Sequence, residues 1–222
     1  MKFLIGDIGN TSTKICVLNN NFKILRSYNF ETIKMLNGNL LKTVIRKRIN
    51  KGLNPIFLFS SVVPKVFLNI KKGLKFSKYK VLEIKNLNLN KIIKINVKNK
   101  KQLGSDRIAN AIGAKKFKNC LVLDFGTATT FDVIKNGRYE GGVIAPGVKL
   151  SIKNLSQATA LLPLINLSSN QKKIGKNTKE ALNAGFIWGY EGLLNNIIDK
   201  IILKNEKKFK IILTGGYANF FK

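Results

Sequence analysis

Histidine is absent from all 222 residues of the sequence. That absence excludes a Ser-His-Asp triad, a Cys-His pair and every His-ligated zinc site. Cysteine is nearly as scarce. Cys16 and Cys120 are the only two, and each sits in an apolar, strand-like run. Two free thiols in a core suit a reducing compartment and exclude a disulfide framework. There is no long apolar run. The longest uncharged window, residues 154–171, is interrupted by Ser, Gln, Thr and Pro, so no membrane span or membrane partner is expected. The opening "MKFLIGD" carries one lysine and loses its apolar character at Asp7, which is not a signal-peptide pattern; a cytoplasmic location follows as an expectation. Acidic residues are few as well: 11 Asp and Glu stand against 40 Lys and Arg, a formal net charge of +29.

Such a charge invites a nucleic-acid-binding reading. The composition argues against a specific one, because the cations are 35 lysines and only 5 arginines. Base and phosphate recognition favours the arginine fork. The lysines are scattered, although they are densest from Lys65 to Lys101, where Glu83 is the only acid. Most of them are read as a solvated surface. A polyanionic small molecule would still be drawn to the field they create.

The scarcity of acids makes their placement informative. Asp7, Asp106, Asp124 and Asp132 all fall inside or beside Gly/Thr/Ser-rich stretches read as turns. Aspartate suits turns and helix caps on its own account. Four of 11 acids in such places nevertheless points to a need for carboxylates there.

With 45% hydrophobic residues the chain is globular, and its length allows one large domain or two small ones. Residues 2–8, 12–18 and 22–30 read as three strands, with Asn19-Asn20-Asn21 as a tight turn. Residues 31–50 carry apolar positions near a 3.6 period and read as a helix. "PIFLFSSVVP" reads as a buried strand entering a Ser-rich turn, and Pro64 opens a helix to about Gly73. "KYKVLEI" and "KIIKINV" are further strand candidates, and a helix runs from Arg107 to about Phe117. The order then repeats. Residues 120–125, 129–135 and 138–144 form a second meander with Asn136-Gly137 as its hairpin turn. A helix follows from about Leu150, another spans 178–204 whole or in two pieces, and "KIILTGG" is a last buried strand. Placing Asp7 on Asp124 places Gly9 on Gly126 and Thr13 on Thr130. The pattern predicts a duplicated α/β fold, its halves 1–114 and 115–222, with a cleft between them.

Each meander opens on an aspartate, a glycine and a cluster of hydroxyls. Gly lets a backbone approach a ligand closely, its neighbours present N–H groups, and Thr or Ser add donors: a combination suited to phosphate oxygens. An aspartate at the end of the preceding strand can hold a cation directly or through water. Neither GxxxxGK[ST] nor GxGxxG occurs, so the chain has neither a P-loop nor a Rossmann site.

The paired turns resemble those of the acetate kinase, sugar kinase, Hsp70 and actin superfamily. "DIGNTSTK", "SSVVP", "GSDRIANAIGA", "DFGTATTFDV", "GGVIAPG", "TALLP", "IGKNT" and "TGG", in that order from residue 3 to about 219, more specifically resemble type III pantothenate kinase. The resemblance implies duplicated actin-like (ribonuclease H-like) domains with an ATP cleft. It implies ATP-dependent phosphorylation of pantothenate, with Mg2+ accompanying the nucleotide. ATP contacts map onto Asp7, Ile8, Gly9, Asn10, Thr11, Ser12, Thr13 and Lys14, with Thr127 as a further one. Pantothenate contacts map onto Gly104, Ser105, Asp106 and Arg107, Asp106 being the general base. Thr178 maps to a substrate contact contributed at a homodimer interface. Asp124 maps to a site for a monovalent cation, K+ or NH4+. The family's tyrosine and proline ahead of the Gly-x-Asp-Arg segment are replaced here by Val97 and Lys100. Three other readings compete with the kinase: a catalytically silent ATP-cleft regulator, disfavoured by the presence of Asp106 and Arg107, a basic nucleic-acid-binding protein, and an actin-like filament protein, disfavoured by the short chain.

Overall fold

Strand β1 (Lys2–Ile8) alternates buried Leu4, Gly6 and Ile8 with exposed Ile5 and Asp7, the two-residue period of a strand with one covered face. In this computed structural model, which describes residues 1–37, 39–46, 52–168, 173–202 and 209–222, β1 opens an antiparallel meander with β2 (Ser12–Leu18) and β3 (Ile24–Glu31). A short 3₁₀ turn and helix α1 (Asn39–Val44) lead to β4 (Leu53–Ser61), which returns parallel to β1. Helix α2 (Pro64–Gly73) then crosses to β5 (Lys80–Glu83), parallel to β4. The first sheet therefore has the order β3-β2-β1-β4-β5. Its core gathers Phe57 and Phe59 of β4 with Val66, Phe67 and Ile70 of α2. Each fully buried phenylalanine contributes roughly 1.5–3 kcal/mol through apolar burial.

The remaining elements are β6 (Lys94–Ile95), α3 (Ser105–Ala114), β7 (Cys120–Phe125), β8 (Ala128–Lys135), β9 (Arg138–Pro146), α4 (Val148–Ala158), α5 (Thr178–Ile201) and β10 (Lys210–Gly215). The second sheet has the order β10-β7-β8-β9-β6, with β10 parallel to β7 and the β7-β8-β9 meander antiparallel. Asn136 and Gly137 both take positive φ, 52° and 72°, as a tight two-residue hairpin requires. Leu194 and its neighbours on α5 pack against Leu121, Leu123, Phe125 and Phe131. Both sheets thus repeat one pattern: an antiparallel meander whose first strand is joined on its other side by a parallel strand. One compact unit comprises Met1–Lys94 and Lys98–Gly113; the other comprises Ile95–Val97 and Ala114–Lys222.

Several expectations are corrected. The stretch 31–50 is not one helix. Its described part divides into a 3₁₀ turn at Thr32–Leu36 and α1, and residues 38 and 47–50 lie outside the described residues. Asn37 makes the break: its backbone is extended, and its side chain accepts from the Asn39 N–H at 3.1 Å. "KIIKINV" yields only the two residues of β6, because Leu89–Lys91 turns as 3₁₀ helix just before it. Helix α3 starts at Ser105 and ends at Ala114, and α4 starts at Val148. Asp132 does not belong to a turn. It lies within β8, opposite Val122, and is fully buried. The long C-terminal helix is continuous to Ile201, while residues 203–204 lie outside the described residues.

Candidate active site

The first turn is fastened from below. The Gly9 N–H donates to the Ser12 carbonyl at 3.0 Å, and the Thr32 N–H donates to the Thr11 carbonyl at 3.0 Å. The Thr32 hydroxyl donates to the Gly9 carbonyl at 2.7 Å. Its single proton is thereby committed, so in the buried 3.0 Å contact between Thr13 Oγ1 and Thr32 Oγ1 it is Thr13 that donates. Thr13 is therefore an internal brace, whereas Asn10, Thr11 and Ser12 stand exposed at the tip. Asp7 pairs with Lys14 on β2 and Ser60 on β4, so the three lie side by side on one face of the sheet. Ser60 Oγ is buried and has no hydrogen-bond partner among the described residues. An unsatisfied hydroxyl costs about 1–3 kcal/mol. One placed beside a strand-end carboxylate suits a ligand-bound water or cation.

The second turn repeats the plan with one residue fewer. Phe125 pairs with Thr129, where Ile8 pairs with Thr13, so the structural counterpart of Thr13 is Thr129 rather than Thr130. Like Thr13, Thr129 is fully buried. The Ile8 carbonyl accepts from the Val62 N–H at 3.0 Å, and the Phe125 carbonyl accepts from the Gly216 N–H at 3.1 Å, the equivalent bond to each parallel strand's exit. Asp124, half-buried, lies between Thr130 on β8 and Thr214 on β10. Thr127 is exposed at the tip. Gly147 backs this turn so closely that a Cβ on it would stand 2.1 Å from the Thr127 carbonyl oxygen.

Asp132 serves the interior of the same sheet. Tyr139 donates its hydroxyl to Asp132 Oδ1 at 3.0 Å, with both residues fully buried. Burial first, and the Asp132 charge second, push the nearby Cys120 thiol up to about 11, which keeps it protonated at neutral pH and poorly nucleophilic.

The start of α3 carries Gly104, Ser105, Asp106 and Arg107. The Ile108 N–H donates to the Gly104 carbonyl at 3.2 Å, the first bond of the helix. Asp106 folds back over that start. Its Oδ1 accepts from the Arg107 N–H at 2.8 Å and lies close against Gly104, so a Cβ on residue 104 would make the carboxylate shift. Ser105 is fully buried, and its hydroxyl donates to Glu83 Oε1 at 2.7 Å. Glu83 ends β5 and pairs with Phe59, the neighbour of Ser60, which in turn pairs with Asp7. The helix start is thereby tied to the same carboxyl ends of parallel strands that carry Asp7. Thr178 belongs to the second unit and is the exposed first residue of α5. There Asn177 accepts from the Glu180 N–H at 3.0 Å and Glu180 accepts from the Lys176 N–H at 2.9 Å, an Asn-x-x-Glu variant of the capping box. Of the replaced positions, Val97 is half-buried at the edge of the second sheet and Lys100 is exposed in a 3₁₀ turn.

Ser60, Thr32 and Thr214 are not among the residues that the sequence assigns to the site, and Glu83 stands out there only as a lone acid. The signal for Ser60 was "SSVVP", and for Glu83 its isolation among lysines. The Thr32 and Thr214 contacts depend on strand pairing alone.

Two mixed sheets of one plan, each with a strand-end aspartate followed by a hydroxyl-bearing turn, define a protein of the actin-like ATPase and sugar kinase fold. A family profile described as Type III pantothenate kinase matches residues 3–200. A protein of that name from Pelagibacter ubique is 49% identical over 99% of this chain and 89% of its own length. Another from Sulfurihydrogenibium sp. is 36% identical over 96% of this chain and 87% of its own. Among solved structures, a Baf family protein from Campylobacter jejuni shares the fold with a TM-score of 0.61 at 22% identity, covering 99% of this chain and 86% of that one. The chain belongs to the type III pantothenate kinase family.

Proposed function

We propose that this chain transfers the γ-phosphoryl group of ATP to the primary hydroxyl of pantothenate, giving 4′-phosphopantothenate, the first step toward coenzyme A. The observation that carries the reading is the start of α3, where a carboxylate and a guanidinium stand together in a chain of this family. The hydroxyl oxygen attacks the γ-phosphorus, the bond from phosphorus to the β–γ bridging oxygen breaks, and ADP leaves. Asp106 Oδ1 is engaged by the Arg107 N–H, so Oδ2 is the oxygen that receives the hydroxyl proton. Arg107 pairs with the substrate carboxylate. The Ser105 hydroxyl is committed to Glu83, so Ser105 meets substrate through its backbone.

The residues Asp7 to Lys14 and Thr127 hold the ATP phosphates in this reading, the exposed tips supplying N–H and hydroxyl donors. No group of three or more His, Cys, Asp or Glu that could cage a metal occurs among the described residues. That suits Mg2+ carried by the nucleotide, which needs one or two carboxylates, phosphate oxygens and water. Asp7 beside the unpartnered Ser60 hydroxyl fits such an ion's water shell. Asp124 between Thr130 and Thr214 fits a larger monovalent cation, K+ or NH4+, which accepts many oxygens. A homodimer is supported by the apolar surface of the second unit, where Ile144, Leu161 and Trp188 are exposed and a Cβ on Gly185, Gly189 or Gly192 of α5 would meet open space. Thr178 opens the same helix and completes the substrate site from the partner in this reading. No helix among the described residues is long and apolar enough to cross a membrane, and a cytoplasmic site of action agrees with the two free cysteines. The +29 charge acts on small anions and not as a specific nucleic-acid surface.

The test is ATP-dependent phosphate transfer to pantothenate by the purified chain. Asp106→Asn is expected to reduce turnover by about 10²–10⁴ while nucleotide binding persists. Near-native turnover by the variant would remove Asp106 from the base role. Absence of any transfer by the wild type would favour the silent regulator.

A further inference from the structure

Glu83 is the only acid between Lys65 and Lys101, and its half-buried carboxylate accepts a hydrogen bond from a buried side chain. Glu83 Oε1 accepts a hydrogen bond from the Ser105 hydroxyl at 2.7 Å across 22 residues of sequence. Ser105 is fully buried, so water does not compete for its hydroxyl. Bonds to an ionised acceptor are about twice as strong as neutral ones. Glu83 ends a parallel strand in register with β4, which in turn is in register with β1 and Asp7. The opposite end of the linkage is the first residue of α3, directly before Asp106. Gly104, which precedes that helix, has no side chain with which to cap it.

We infer that Glu83 is a positioning residue for the reaction. Through Ser105 it locks the first turn of α3 onto the strand ends, and so fixes where Asp106 Oδ2 and the Arg107 guanidinium stand relative to the phosphate-binding turn of the same unit. Glu83 does not touch substrate; it acts through the Ser105 hydroxyl. This rests on the assignment of Asp106 and Arg107 to pantothenate, and it adds a residue that has no counterpart among the motif residues. A misplacement of about 1 Å at the reacting centre costs on the order of 10²-fold in rate, which is the scale on which a loosened helix start should register.

The experiment compares Glu83→Ala, Glu83→Gln, Ser105→Ala and the Glu83→Ala/Ser105→Ala double variant in the full-length enzyme, with Asp106→Asn as reference. The expected result is a fall in kcat on the order of 10–100-fold for Glu83→Ala, with KM for pantothenate raised and KM for ATP within about twofold of wild type. Glu83→Gln, whose amide oxygen still accepts from Ser105, restores most of the turnover. Ser105→Ala matches Glu83→Ala, and the double variant is no worse than either, the non-additivity of two ends of one bond. Wild-type kinetics in both alanine variants would overturn the inference, even with a lowered Tm. So would a glutamine variant no better than alanine, or a fully additive double variant. Should Glu83→Ala fail to fold, Ser105→Ala decides alone, since it removes one oxygen and leaves a half-buried carboxylate in contact with solvent. Full activity in Asp106→Asn would sink the underlying base assignment instead, and this outcome is separate from any result at Glu83.

Discussion

Two aspartates of one hairpin have opposite environments. Asp124, next to last in β7, is half-buried between two threonines, whereas Asp132 is enclosed in β8 and held by Tyr139. In the sequence both stand in Thr-rich company, and both read as turn carboxylates. The tyrosine that makes Asp132 an interior residue lies in the next strand, and only strand pairing brings it close. The consequence for chemistry falls on Asp124. Potassium is large and weakly hydrated, so a ring of protein oxygens can replace its water, while sodium would be under-coordinated by the same ring. Activity is therefore expected to rise with KCl or NH4Cl and to respond weakly to NaCl at equal ionic strength. Asp124→Asn should abolish that difference while leaving a basal rate. Steady-state assays in the three salts measure it. A variant that keeps full potassium activation would move the ion elsewhere, and identical potassium and sodium curves in the wild type would remove the site.

At the scale of elements, the duplicated meander was legible because strand alternation, Asn136-Gly137 and the two Asp-x-Gly openings are local signals. What was not legible is the offset between the two turns. Asp7 and Asp124 correspond, yet the second turn is shorter by one residue, so the buried counterpart of Thr13 is Thr129, whose hydroxyl has no hydrogen-bond partner among the described residues. An ungapped comparison cannot see a deletion inside a turn, and it places Thr130 there instead. The start of α3 was legible as a motif; its tether to β5 was not, because Glu83 and Ser105 meet only through the fold. The backing of each turn is equally hidden. Thr32 braces the first turn from below, and Gly147 crosses against the second, its Cβ position 2.1 Å from the Thr127 carbonyl oxygen. A methyl group there must push the turn away, since the obstructing atoms are backbone. Gly147→Ala is expected to destabilise the protein by about 1–3 kcal/mol as an overpacking substitution. It should also raise KM for ATP more than KM for pantothenate. Thermal unfolding together with both KM values checks this, and unchanged values for both substrates would show that the turn tolerates displacement.

For the molecule as a whole, the question is what a net charge of +29 does in an enzyme whose substrates are anions. The cations are scattered lysines, most of them exposed, so they offer a diffuse field rather than a set of forks. A diffuse positive field raises the encounter rate of small anions and is screened by salt, with a Debye length falling from about 30 Å at 0.01 M to about 8 Å at 0.15 M. With potassium held at saturation and choline chloride used to change ionic strength, kcat/KM for ATP is expected to fall severalfold over that range. The effect on pantothenate, with a single carboxylate, should be smaller, and kcat should hardly move for either, because chemistry after binding does not depend on long-range steering. The same field would retain duplex DNA weakly at low salt without sequence preference, since phosphate neutralisation alone supplies that binding. DNA added at 0.15 M salt is therefore expected to leave the kinetics unchanged. If kcat/KM for ATP is flat across the salt series, the lysines are too dispersed to steer and the charge serves only the solvated surface. If DNA inhibits at 0.15 M salt with a defined stoichiometry, the basic surface is a binding face in its own right.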